Sequence, residues 1–173
     1  MGRYAPMFLT FARLASPLAI VPLILNGGGL SNLFAVLIFS VAALSDWADG
    51  FIARKMHLES KWGKILDPIA DKLLCLLSLL ALTVNRDVSA FFIIFLFLTF
   101  ARELLMSALR EGLAGKEIPV SVMSRAKTFA TYISIGFLII GHQLTLPGMV
   151  SWGLSLVLGY IAIAKRLVEI SRA

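Results

Sequence analysis

A chain of 173 residues that is 59% hydrophobic, with a mean hydropathy of +0.90, holds more apolar surface than a water-soluble domain of that size buries, which places it in a bilayer. Sixteen Lys and Arg against ten Asp and Glu leave a formal charge of +6. In a soluble protein that excess would point to nucleic acid, but here it has a topological explanation and no nucleic-acid partner is expected.

The length suits a single domain over residues 1–173. Turn signals and charge clusters cut it into six apolar segments, near 7–25, 31–55, 63–84, 89–114, 120–143 and 147–168. Each is about long enough for the ~20 residues that cross a hydrocarbon core of ~30 Å. Residues 1–6 lack the charged, apolar, small-residue order of a cleaved signal, so the first segment is expected to remain as a helix. The glycine-rich connector at 26–31 reads as a flexible turn, because no Lys-Ser/Thr follows it to make a phosphate-binding loop.

The second segment is apolar from Leu33 to Leu44 and then meets Asp46 and Asp49, and the third meets Asp67 and Asp71 before turning apolar from Leu73 to Val84. Cys75, the single cysteine, lies in that last run and reads as a small buried hydrophobe. Trp62 and Trp152 fall near segment ends, where aromatic side chains anchor at the membrane interface. His57 and His142 are also at segment ends and read as solvated. An even number of crossings puts both termini on one side. Arg3, Arg13, the basic groups within 54–72 and 102–127, and Lys165, Arg166 and Arg172 share that side, and Arg86 alone falls opposite. Both termini and the basic connectors are therefore expected in the cytoplasm.

Four carboxylates inside or at the edge of apolar segments demand compensation, since each costs at least ~2.5–3.5 kcal/mol in a membrane helix. Asp46 and Asp49 are spaced i,i+3, and Asp67 and Asp71 i,i+4, so each pair lines one face of its helix. The matched apolar lengths put both pairs at one depth of an antiparallel pair formed by the second and third helices, in the cytoplasmic half. Hard oxygen ligands without His or Cys favour Mg²⁺ or Mn²⁺, and two such ions would neutralise the set. Compensation by Arg54, Lys64 and Lys72 alone is a second reading of the same residues. Gly50, Ala53 and Gly63 lie one turn from the acids, where they either clear space beside a ligand or serve close helix packing.

Read together, Asp46-x2-Asp49-Gly50-x2-Ala53-Arg54-x8-Gly63-x3-Asp67-x3-Asp71 resembles the signature of the CDP-alcohol phosphatidyltransferase family, and every fixed position is present. The resemblance implies an all-α integral membrane enzyme of six transmembrane helices, covering the whole chain, with a polar metal-containing cavity open toward the cytoplasmic side. It implies that Asp46, Asp49, Asp67 and Asp71 hold two divalent ions and that Asp71 takes the proton of the attacking hydroxyl. Asp46, Gly50, Ala53, Arg54 and Gly63 would lie along the cytidine diphosphate of CDP-diacylglycerol. One departure is that relatives often carry Asn after the proline before the first helix, where this chain has Met7 after Pro6. Thr10 and Arg13 keep the matching spacing.

A second stretch, from Ala101-Arg102-Glu103 through Leu109-Arg110-Glu111 to Ser124-Arg125-Ala126-Lys127, resembles bacterial members that use sn-glycerol 3-phosphate. Arg102 and Arg110 share a broad helical face, and with Lys127 they would bind the acceptor's phosphate. Arg125 is a candidate addition, although Arg125 and Lys116 equally suit snorkelling to the membrane surface. Glu103 and Glu111 are expected to pair with neighbouring cations. The implied setting is the bacterial cytoplasmic membrane, among membrane lipids, with the active site facing the cytoplasm; a homodimer is expected because relatives dimerise. Competing readings are another acceptor, such as inositol phosphate or serine, or an ion or proton transporter, for which buried acids are also characteristic.

Overall fold

The computed structural model describes the backbone over residues 5–56, 61–84, 88–112, 122–141 and 144–171, and side chains over 10–45, 66–84, 88–109, 126–141 and 144–168. The regular structure is six helices, α1 (Ala5–Asn26), α2 (Gly29–Met56), α3 (Lys61–Val84), α4 (Ala90–Gly112), α5 (Val122–Ile140) and α6 (Thr145–Ser171), with no strand among the described residues.

These bounds follow the apolar segments to within a few residues, and the differences have local causes. α1 ends where Gly27 takes a φ of 71° and returns its N–H to the Ile24 carbonyl at 3.1 Å. α5 ends at Ile140 rather than near 143 because Gly141 takes a φ of 74°, a region that glycine enters without strain. The expected connector at 26–31 shrinks to Gly27 and Gly28, since the next helix already starts at Gly29. α4 is capped by Ser89, whose carbonyl and hydroxyl accept the Phe92 N–H at 2.9 and 3.3 Å. Within α1, Pro17 lacks the N–H that would bond the Arg13 carbonyl, and the Ser16 hydroxyl donates to that carbonyl instead, at 2.7 Å.

The helices bury polar residues beside an apolar core and leave many large apolar side chains exposed. Thr10, Arg13, Ser78, Thr99, Arg102, Thr131, Ser134 and Ser155 are buried, while Leu18, Phe34, Val41, Phe91, Phe97, Phe129 and Leu146 stand exposed. Lipid favours that arrangement, because hydrocarbon removes the drive to hide large apolar side chains and leaves close packing and interhelical hydrogen bonds as the adhesive. Ala90–Leu109 of α4 and Thr145–Val168 of α6 are long and apolar enough to cross a membrane. Shorter apolar runs occupy Thr10–Asn26, Gly29–Ser45 and Ala126–Ile140.

The chain divides into two compact units, Met1–Asp87 with Ile139–Gly141, and Val88–Leu138 with His142–Ala173. In the first, α1 packs along both α2 and α3, and among the described residues those two touch each other only briefly. Among the described residues α1 is the common partner of α2 and α3, while the acid-bearing end of α2, where the sequence expects the two to pair, has side chains outside those described. The buried polar face of α1 supplies the reason for its place: Thr10 bonds α3, and Arg13 bonds α2. In the second unit α4 packs against α6. Trp152 corrects another expectation, since it is 1% exposed rather than interfacial. Its Nε1 donates to Thr99 Oγ1 at 2.9 Å, and its ring meets Phe92 and Phe95 edge-on at 5.0 and 5.6 Å. Two aromatic partners and an acceptor on α4 outcompete the interface for an indole. Cys75 is half-buried, at the margin of the packed face that includes Leu74, rather than enclosed. The side chain of Trp62, and His57 and His142, lie outside the described residues.

Candidate functional site

α3 continues unbroken through Asp67 and Asp71, so the two carboxylates lie one turn apart, and both are half-buried. Thr10, 4% exposed, donates its hydroxyl to Asp67 Oδ1 at 2.7 Å from α1. Asp46 and Asp49 are carried by α2, as are Gly50, Ala53 and Arg54, while Gly63 is carried by α3. The side chains of all six residues lie outside those described. The described residues alone therefore hold no cluster of three or more metal-ligating side chains. The donor chemistry nevertheless fits a hard divalent ion, since the four acids of the motif are oxygen donors and Asp67 is steadied by a hydroxyl.

Arg13, 1% exposed, is a residue that sequence reasoning left without a role. Its Nε donates to the Ala42 carbonyl at 3.1 Å and its Nη2 to Ser45 Oγ at 3.3 Å. A cation buried this deeply would cost several kcal/mol without such acceptors. The available signal in the sequence was its position, an arginine one turn beyond a threonine inside an apolar segment.

In the second unit, Arg102 and Lys127 meet on one carboxylate oxygen. Arg102 Nη2 lies 2.6 Å and Lys127 Nζ 3.5 Å from Glu103 Oε1. The pairing expected for Glu103 is therefore what the structure contains, and it brings two of the predicted phosphate-binding cations together. Arg102 is 3% exposed, and its Nε and Nη1 have no hydrogen-bond partner. Unpaired buried N–H groups on a cation are costly and mark capacity for an anion. Arg110 belongs to α4 and Arg125 to α5, with side chains outside those described.

Gly159 of α6 is what lets this cluster form. A Cβ on Gly159 would lie 2.6 Å from Arg102 Cδ, 2.9 Å from its Nη1 and 3.2 Å from Lys127 Cδ. No motif announces this glycine; only the packing of α6 reveals it. Beneath the cluster, Thr131 donates to the Lys127 carbonyl at 3.0 Å, and the Ser155 hydroxyl, 3.2 Å from the same carbonyl, shares a short hydroxyl–hydroxyl bond with Thr131. Ser151 donates to the Ala130 carbonyl at 3.1 Å, extending the hydroxyl seam that binds α5 to α6.

Known proteins resemble the chain over most of its length. The profile of the CDP-alcohol phosphatidyltransferase family matches residues 3–166. A protein of Rickettsia bellii named CDP-diacylglycerol–glycerol-3-phosphate 3-phosphatidyltransferase is 40% identical over 141 residues, 80% of this chain and 76% of its own. Proteins of the same name are similar in Cereibacter sphaeroides, 34% identical over 154 residues (87% and 70% of the two chains), and in Escherichia coli, 38% identical over 109 residues (61% and 59%).

Proposed function

The chain belongs to the CDP-alcohol phosphatidyltransferase family, and from that premise we infer that it transfers the phosphatidyl group of CDP-diacylglycerol to sn-glycerol 3-phosphate, releasing CMP. The observation that carries the choice of acceptor is the name shared by relatives at 34–40% identity. The buried Arg102 with its unpaired Nε and Nη1, beside Lys127, supports it, because a neutral acceptor has no use for such cations.

The proposed chemistry follows from the residues. Asp46, Asp49, Asp67 and Asp71 would hold a pair of Mg²⁺ or Mn²⁺ ions, which when bound would offset charge on the diphosphate and the departing CMP. Gly50, Ala53 and Gly63 leave room for the cytidine diphosphate, with Asp46 and Arg54 as its polar partners. Arg102, Lys127 and Arg110, with Arg125 as a further cation, orient the acceptor through its phosphate. Asp71 takes the proton of the acceptor's hydroxyl as the oxygen attacks the β-phosphorus; the bond from that phosphorus to the bridging oxygen breaks, and CMP carries the electron pair away. The product is phosphatidylglycerol phosphate.

The proposed setting is the cytoplasmic membrane of a bacterium, with six crossings and the acids and basic connectors at the cytoplasmic border. There the acyl chains of the donor stay in lipid while CMP leaves to water. The exposed apolar side chains and the one-sided distribution of Lys and Arg support that placement. The family match runs through both units and supports a single functional domain, and a homodimer is proposed from family habit.

The test is an assay of the purified protein with CDP-diacylglycerol, Mg²⁺ or Mn²⁺, and labelled sn-glycerol 3-phosphate, inositol phosphate and serine in competition. Metal-dependent CMP release with label entering lipid only from glycerol 3-phosphate is expected. Preference for another acceptor would overturn the acceptor assignment, and absence of CMP release with any acceptor would favour a transporter.

A further inference from the structure

The hydroxyl groups of the described helices mostly turn back onto their own backbone. Thr83 donates to the Leu80 carbonyl, Thr99 to Phe95, Thr131 to Lys127 and Ser107 to Glu103, at 2.7–3.0 Å. That is the default for a hydroxyl in a helix, where the carbonyl three or four residues back is always within reach. Thr10 reaches further. Its hydroxyl crosses from α1 to α3 and donates to Asp67 Oδ1 at 2.7 Å, a partner 57 positions away in the chain. Thr10 is 4% exposed and Asp67 half-buried, so the donor side of the contact is shielded from water. One turn further along α1, Arg13 ties the same helix to α2 at the Ala42 carbonyl and at Ser45, the residue that precedes Asp46.

We propose that Thr10 is a positioning residue for the metal centre, holding the Asp67 carboxylate in the orientation that binds a divalent cation, with α1 as the strut between the two acid-bearing helices. This rests on the reading of Asp67 as a metal ligand. A carboxylate on an exposed rotor explores both of its oxygens and several rotamers. One whose Oδ1 accepts a bond from a buried neighbouring helix has its plane set, and its other oxygen is left to face a cation. Groups that hydrogen-bond a metal's ligands in this way are worth about 10- to 100-fold in metal affinity. The hydroxyl is needed for the bond, and the γ-methyl of threonine only limits its rotamers. Serine should therefore substitute where valine, of nearly the same shape, does not.

The experiment is a titration of the purified full-length protein with Mn²⁺ in the absence of substrates, reading free Mn²⁺ by electron paramagnetic resonance, alongside thermal unfolding and the Mn²⁺ dependence of CMP release. Thr10→Val is expected to weaken Mn²⁺ binding about 10- to 100-fold and to shift the Mn²⁺ dependence of turnover to match, with turnover recovering at saturating Mn²⁺. Thr10→Ser is expected to retain the affinity of the unaltered protein. Asp67→Asn serves as the reference for loss of a ligand. Unchanged Mn²⁺ affinity in Thr10→Val, with affinity lost in Asp67→Asn, overturns the positioning role and leaves the metal reading intact. Unchanged affinity in Asp67→Asn overturns both. A lower unfolding temperature in Thr10→Val without a change in Mn²⁺ affinity shows a packing role only and also overturns the proposal. Should Thr10→Val not fold, the contrast between Thr10→Ser and Thr10→Ala is read in the same way.

Discussion

Arg13 in the α1–α3 unit and Arg102 in the α4–α6 unit are both buried arginines on a helix face, yet their partners differ. Arg13 gives its Nε and Nη2 to neutral oxygens, a backbone carbonyl and a serine hydroxyl. Arg102 has one nitrogen on a carboxylate and two with no acceptor, and Gly159 supplies the space in which its guanidinium lies. Burial alone therefore does not say what a buried cation does. The mark of Arg102 is unspent hydrogen-bonding capacity, its Nε and Nη1 remaining for an anion, while Nε and Nη2 of Arg13 join α1 to α2.

If the two units divide the reaction as proposed, substitutions in the first should strike turnover with every acceptor and those in the second should strike use of the acceptor alone. The largest effect is expected for Asp71→Asn, which removes the general base and should lower kcat by about 10²- to 10⁴-fold at saturating metal and substrates. Near-normal turnover of the folded variant would remove Asp71 from that role. Arg102→Ala should raise KM for glycerol 3-phosphate by about 10- to 100-fold, the weight of a charge-assisted hydrogen bond, with KM for CDP-diacylglycerol held. Equal change in both constants would end the division of labour. Gly159→Ala should act in the same direction as Arg102→Ala but less strongly, because it displaces the guanidinium without deleting it. Kinetics indistinguishable from the unaltered protein would show that Arg102 needs no such cradle. Smallest, Trp152→Phe should leave kinetics alone and cost about 0.5–1.5 kcal/mol of stability for the lost bond to Thr99, read as a lowered unfolding temperature in detergent. A change in acceptor KM in that variant would tie the aromatic cluster to the site.

The six helices and the acid spacing are legible from local information. An apolar run of about 20 residues is a property of consecutive side chains, and i,i+3 or i,i+4 facing follows from helix geometry alone. Gly141 shows where that reading blurs, because the sequence stays apolar through Ile140 and nothing before the glycine signals that the backbone turns there. Glu103 was also legible, since an acid beside a buried cation has few alternatives. Trp152 was not, because its fate depends on what α4 places opposite it.

Composition and the length of the apolar runs were enough for an all-helical membrane protein, and resemblance of the Asp46-to-Asp71 motif to a family signature supplied the enzyme class, because both are linear patterns read along the chain. Tertiary structure alone decided that α1 is the partner of both acid-bearing helices, that Thr10 bonds Asp67, and that Gly159 admits Arg102 and Lys127 to a shared carboxylate. These depend on which faces of distant segments meet. A contact between segments 24 to 57 positions apart leaves no periodic trace in either segment that makes it.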